Sequence, residues 1–147
     1  MHIQVAALLL TTTLITGCSS VGSVSQNQTA SKIVSQVHPN HVKHPDMESL
    51  NASFNEDSTS STFSGSVVEL SGEIISFAST EDGLYTVTIS DGETNVLCVF
   101  DDDIADKLGA DRAVHNGATI TVQGQCYASG LFSASAFTLD GCKIVSN

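Results

Sequence analysis

The chain has 147 residues, 41% of them apolar, no tryptophan, and 16 Asp and Glu against 5 Lys and Arg, for a formal net charge of -11. That length leaves room for one domain of ordinary size with a leader and a tail, and excludes two full domains. Nucleic acid is bound largely through Lys and Arg neutralising phosphates, helped by aromatic side chains stacking on bases, so this composition argues against nucleic acid as a partner.

From Ile3 to Leu14 runs an apolar stretch broken by Gln4 and by Thr11 to Thr13, and it closes on Ile15-Thr16-Gly17-Cys18. The stretch is shorter than the roughly 20 apolar residues that span a bilayer. The small residues before the cysteine, and the shift to Ser and Gly after it, favour a cleaved leader over a short membrane helix with an incidental cysteine. Residues 1–17 resemble a lipoprotein signal peptide ending in a lipobox, which implies cleavage before Cys18 and lipidation of its thiol. Met1 to Gln4 carry no Lys or Arg, a departure from the usual leader. Ser19 in place of Asp after the cysteine resembles lipoproteins sent to the outer membrane. The expected address is therefore the outer membrane, lipid-anchored on its periplasmic face.

Residues 18–64 are rich in Ser, Thr, Asn, Gln and Val and contain both prolines, Pro39 and Pro45. No stretch sustains a period of two or of 3.6 with enough apolar weight to bury, so the segment reads as a flexible, disordered tether. Within it His38, His41 and His44 recur every third residue. Three imidazoles form a candidate metal site for zinc, copper or nickel. Pro39 and Pro45 forbid the continuous helix that would align the rings, so solvated linker histidines are the competing reading.

Residues 65–147 carry the fold signal. Val68, Leu70, Gly72, Ile74 and Phe77 mark a long first strand that a glycine lets bend. The turn Thr80-Glu81-Asp82-Gly83 leads to a second strand alternating at Tyr85, Val87 and Ile89, and Ser90-Asp91-Gly92 turns it into a third, Asn95 to Phe100. The period then changes. Asp101-Asp102-Asp103 suits a helix start, with Ile104, Ala105 and Leu108 facing inward before Gly109. After Asn116-Gly117, a fourth strand alternates at Ile120, Val122, Gly124 and Cys126. A fifth carries Phe137, Leu139, Cys142 and Ile144, with a bulge at Asp140-Gly141 that shifts its alternation.

Three strands, a short helix and two strands is the order of an OB fold, a mainly β, five-stranded Greek-key barrel with its helix between strands 3 and 4. VLCVF, the helix with its acidic start, NGATITVQGQC and TLDGCKIV resemble the OB-fold lipoproteins grouped with the tRNA-anticodon-binding-like (tRNA_anti-like) domains, over about the last eighty residues. The resemblance implies a fold and an envelope address more than an activity.

With Cys18 taken by lipid, Cys98, Cys126 and Cys142 remain in an oxidising compartment. In an OB barrel the third and fifth strands run parallel and adjacent. That places Cys98 and Cys142 at one end, as the favoured disulfide, and Cys126 at the other. The leftover thiol as a redox or metal ligand is the alternative, with no basic neighbour in sequence to lower its pKa.

No nucleophile elbow, calcium loop or phosphate-binding glycine loop occurs. Asp101 to Asp103 read as a solvated cap rather than a cation site, and His115 as a loop residue. The expectation is a protein that is not an enzyme and needs no cofactor: an envelope binding or adaptor module contacting a protein or glycan through Tyr85, Val87 and Tyr127. The alternative is a metal-binding lipoprotein using His38, His41 and His44, and an enzyme with an unrecognised site is a minor third reading.

Overall fold

The computed structural model describes residues 24–56, 61–129 and 135–146. The leader 1–17 and Cys18 lie outside them. Strands β1 (Val67–Ser79), β2 (Tyr85–Ser90), β3 (Asn95–Phe100), β4 (Thr119–Ala128) and β5 (Phe137–Ser146) close a barrel in the order β1-β2-β3-β5-β4. This is the expected OB topology, including a parallel β3–β5 seam, where Leu97 faces Thr138 and Cys98 faces Leu139. Between β3 and β4 lies a single 3-10 helix, Asp102–Lys107.

β1 is long because it serves two neighbours, pairing with β4 over Val67 to Glu73 and with β2 over Glu73 to Ser79. The changeover needs a bend, supplied by a bulge between Ile74 and Ser76. At Gly72 a Cβ would lie 2.8 Å from Met47 Cε and 2.9 Å from the Ser90 carbonyl, so no side chain fits. The alternation read from sequence holds in the core. Val68, Leu70, Ile74, Val87, Ile89, Val96, Cys98, Ile120, Val122, Cys126 and Leu139 all face inward and are buried. The expected bulge in β5 is present: Gln123 pairs with Lys143 and Gln125 with Asp140, which leaves one extra residue on β5 around Gly141, at φ +60°.

The segment read as a tether is structured over residues 24–56. It holds helices α1 (Val24–Gln36) and α2 (Met47–Glu56), with a short 3-10 turn, Pro39–His41, between them. Asp46 caps α2, its Oδ1 accepting from Ser49 N at 2.6 Å. Met47, Leu50 and Phe54, spaced three and four apart, then enter the barrel core, where Phe54 stacks on Phe137 at 5.6 Å between centroids. α2 therefore plugs the mouth at which β5 begins. Ile104, Val114, Leu108 and Tyr85 fill the other mouth. The linking backbone at Lys43 covers a bare edge of β1, donating to Val67 O and accepting from Glu69 N, both at 2.9 Å.

α1 lies outside the barrel across β5 and β4. Its buried face is Asn27, Ala30 and Val34, and Val34 packs with Val42 and Val67. Two side chains fix it to the seam. Asn27 Oδ1 accepts from Gly141 N at 2.7 Å while its Nδ2 donates to Asp101 Oδ1 at 2.6 Å, and Gln26 Nε2 donates to Asp140 Oδ2 at 3.0 Å. The helix backbone presses so close that a Cβ on Gly141 would sit 2.7 Å from Ser31 Cα, and closer still to Ser31 N and Ala30 C.

Candidate functional site

With both mouths filled, what the barrel offers a ligand is its outer surface. Since Val87, Ile89, Val96, Cys98 and Phe100 point inward, Thr86, Thr88 and Ser90 of β2 and Asn95, Leu97 and Val99 of β3 lie on the opposite face, where all but the buried Val99 are accessible. None of these six is charged. The face is bounded by the β1–β2 turn, where the Thr80 hydroxyl accepts from Leu84 N at 3.1 Å and Gly83 takes φ +82°. The adjoining half of β1 exposes two large apolar side chains, Ile75 (43% exposed) and Phe77 (38%). Each borders a recess: about 440 Å³ with Glu73, Ser90, Asp91 and Gly92, and about 240 Å³ with Ala110, His115 and Asn116.

The ligand face expected at Tyr85, Val87 and Tyr127 does not exist as one surface. Val87 is fully buried and Tyr85 packs against the core, because β2 presents its apolar alternation inward. Tyr127 pairs with Thr138 on β4, one residue out of phase with the inward-facing Cys126. Burial, and after it the Asp140 carboxylate, raises its phenol pKa. The sequence signal for the solvated side of β2 was the complementary set, the polar Thr86, Thr88 and Ser90.

The histidines do not converge either. His38 and His41 lie 5.8 Å apart between ring centroids, but His38 Nδ1 accepts from Asn40 N, and His44 turns instead to Glu69, 3.6 Å away. Among the described residues no group of three or more His, Cys, Asp or Glu is placed to hold a metal ion. Asp101 is engaged by Asn27, and His115 Nδ1 contacts Arg112 O at 2.8 Å in the loop before β4.

Cys98, Cys126 and Cys142 are buried free thiols. The expected bond between Cys98 and Cys142 is not formed; the Cys142 thiol donates to Leu139 O at 3.3 Å and that of Cys98 faces Val96 O at 4.0 Å. Cys126 does not sit at the opposite end as expected. It and Cys98 flank the same residue, Leu139, because β4 overruns the seam and its Cys126 falls level with the middle of β3. The β5 bulge brings Cys142 in as well, its Sγ 2.7 Å from where a Gly124 Cβ would be. Burial pushes the Cys126 thiol up to about 12, with Asp140 and Cys98 adding to it, and lifts Cys142 well above the usual range. These are inert core thiols at neutral pH.

A model of the tRNA_anti-like family matches residues 1–132. The chain belongs to the tRNA_anti-like family. No curated protein matches it. Among solved structures, this tRNA_anti-like chain is similar to a candidate nucleic acid-binding lipoprotein from Klebsiella pneumoniae, at 18% identity and TM-score 0.58, covering 76% of this chain and 100% of that one. It is also similar to a candidate aspartyl-tRNA synthetase from Leishmania major, at 9% identity and TM-score 0.51, covering 77% of this chain and 22% of that one. At such identities the likeness shows the OB fold. The synthetase match spans a fifth of that enzyme, so it concerns an OB part and not the whole enzyme.

These findings overturn one expectation, the exclusion of nucleic acid. The family and the Klebsiella protein's name both point towards that ligand class. The exclusion used the net charge of the whole chain, an average over every surface. The outer β2–β3 face carries no carboxylate on its strands, so the repulsion at that face is not the repulsion the total implies.

Proposed function

We propose that this tRNA_anti-like protein is a non-catalytic binding module of the cell envelope, anchored through a lipid on Cys18 at the periplasmic face of the outer membrane. The observation that carries the binding role is an OB barrel plugged at both mouths, with an uncharged outer β2–β3 face beside exposed Ile75 and Phe77. A face of threonine and serine hydroxyls with apolar borders suits an extended protein segment or a glycan strand, held by hydrogen bonds and apolar contact. The name of the Klebsiella lipoprotein favours a second reading, single-stranded nucleic acid on the same face.

The two readings separate by which ligand binds. A nucleic acid held on a face without Lys or Arg neutralises few phosphates, so its affinity should fall only weakly with salt, in contrast to the slope of about -0.7 per phosphate contacted by a cation. Fluorescence anisotropy of the full chain with labelled oligonucleotides, glycan strands and envelope-derived peptides, at 50 and 300 mM salt, measures this. Thr88→Glu and Leu97→Glu should abolish binding of the true ligand. Ligand binding unchanged by both substitutions would refute the face. The anchor is read separately: Cys18→Ser should release the protein from the detergent phase, and a variant still partitioning after leader cleavage would remove the basis for lipidation.

A further inference from the structure

At the β3–β5 seam, α1 leaves a cleft of about 260 Å³ against the 3-10 helix, the end of β3 and β5. Ser31 and Ser35 of α1 form one wall, Lys107 of the 3-10 helix and Lys143 of β5 stand at its rim, and Phe100 and Ile104 line it with apolar surface. The chain has five basic residues in all. The Lys43 ammonium is committed to Thr62 O at 2.9 Å, Ser66 Oγ at 3.0 Å and the face of Phe63, and Arg112 donates to Asp106 O. Lys107 and Lys143 make no hydrogen bond or ion pair among the described residues, where the one ion pair is His44 with Glu69. The Lys32 ammonium on α1 likewise has none among the described residues, but only Lys107 and Lys143 stand together on one recess.

We propose that this cleft binds a phosphate group. Two ammoniums carried by different elements, with the Ser31 hydroxyl from a third, supply donors from separate directions, as the several acceptor oxygens of a phosphate require, while the Ser35 hydroxyl already donates to Lys32 O. Two carboxylates also line the cleft. Asp101 already accepts from Asn27, and Asp103 lies at the start of the 3-10 helix, so their repulsion is what the two ammoniums have to outweigh. The volume fits a phosphate ester, not a folded partner. The site is independent of the β2–β3 face, and either can fail without the other.

The phosphate has two sources, a lipid headgroup or a soluble ester, and one experiment distinguishes them. The full chain in a phosphate-free detergent is titrated calorimetrically with glycerol 3-phosphate, and separately with phosphatidylglycerol doped into the micelles. Saturable binding of the soluble ester supports the site with a free ligand, and saturation by the lipid alone supports it with a headgroup. Lys107→Ala and Lys143→Ala should each weaken binding on the order of tenfold or more, while Lys32→Ala, on α1 outside the cleft, should leave it unchanged. Both cleft lysines are exposed, so the variants should keep the wild-type melting temperature. Absence of saturable binding in both arms, or binding that survives both lysine substitutions, overturns the proposal.

Discussion

Gly141→Ala tests the docking of α1 most directly. Two costs arise from one methyl group. The backbone there has φ +60°, where a residue with a Cβ is strained by about 1–2 kcal/mol. The methyl would also meet α1 backbone, 2.7 Å from Ser31 Cα, and a helix backbone yields only by moving as a unit. Moving it away breaks the 2.7 Å hydrogen bond from Gly141 N to Asn27 and exposes Val34, 1% accessible in the native protein. Those losses add roughly 1–3 kcal/mol and about 1.5–3 kcal/mol respectively. Strain and clash cannot both be relieved while the helix stays docked, so a fall of about 3 kcal/mol, roughly 10 °C in melting temperature, is expected. Hydrogen exchange should locate it, with protection lost across 24–36 and retained in β2 and β3. Wild-type protection of α1, with a melting temperature within about 1 °C of wild type, would refute this account. Gly83→Ala is the control, because its φ of +82° carries strain but its Cβ meets nothing within 4 Å.

Phe54→Ala should cost about 3–5 kcal/mol by opening a cavity against Phe137, and chemical denaturation would read it; a loss below 1 kcal/mol would mean that α2 is not a core element. Asp140 is held by burial above its usual 3.8, the Gln26 hydrogen bond opposing only in part. The protonated acid is therefore favoured by folding, a contribution complete below the unfolded pKa and lost as pH rises through the folded one. Asp140→Asn should gain stability relative to wild type as pH rises from 3.8 towards neutrality, measured as melting-temperature differences across a pH series, and a gap shrinking with pH would contradict it. The raised thiol pKa values of Cys126 and Cys142 predict slow native alkylation at pH 8, accelerated by denaturant, and rapid labelling of the folded protein would show these thiols to be accessible.

The barrel was legible because its signals are local and doubled. β2 alternates at Val87 and Ile89 between two Gly-containing turns, and Asp140-Gly141 announces the β5 bulge by interrupting Leu139 and Cys142. α1 and α2 were not, since each buries only three residues. In α1 one of the three is Asn27, whose value is two tertiary hydrogen bonds that no hydropathy pattern records. α2 did carry a signal, Pro45-Asp46 followed by Met47, Leu50 and Phe54, a cap and a stripe concealed by the surrounding Ser and Asn. Tyr85 and Val87 were misassigned because the same alternation that identifies a strand does not say which face is solvated. Cys126 was misplaced because strand ends were treated as level, whereas the strands of a barrel are staggered.

The point at which α1 docks also sets how far the protein can stray. Six peptide units separate Cys18 from Val24, a maximum of about 20 Å at full extension. A coil of all 47 residues from 18 to 64 would have wandered over some 35–40 Å on average and several times that when stretched. With a lipid on Cys18, the module works as a bracket bolted to the bilayer and not as a float on a line. On the proposed anchor its β3–β5 seam would be the part kept low, and whatever it recognises would have to come to the membrane to be met.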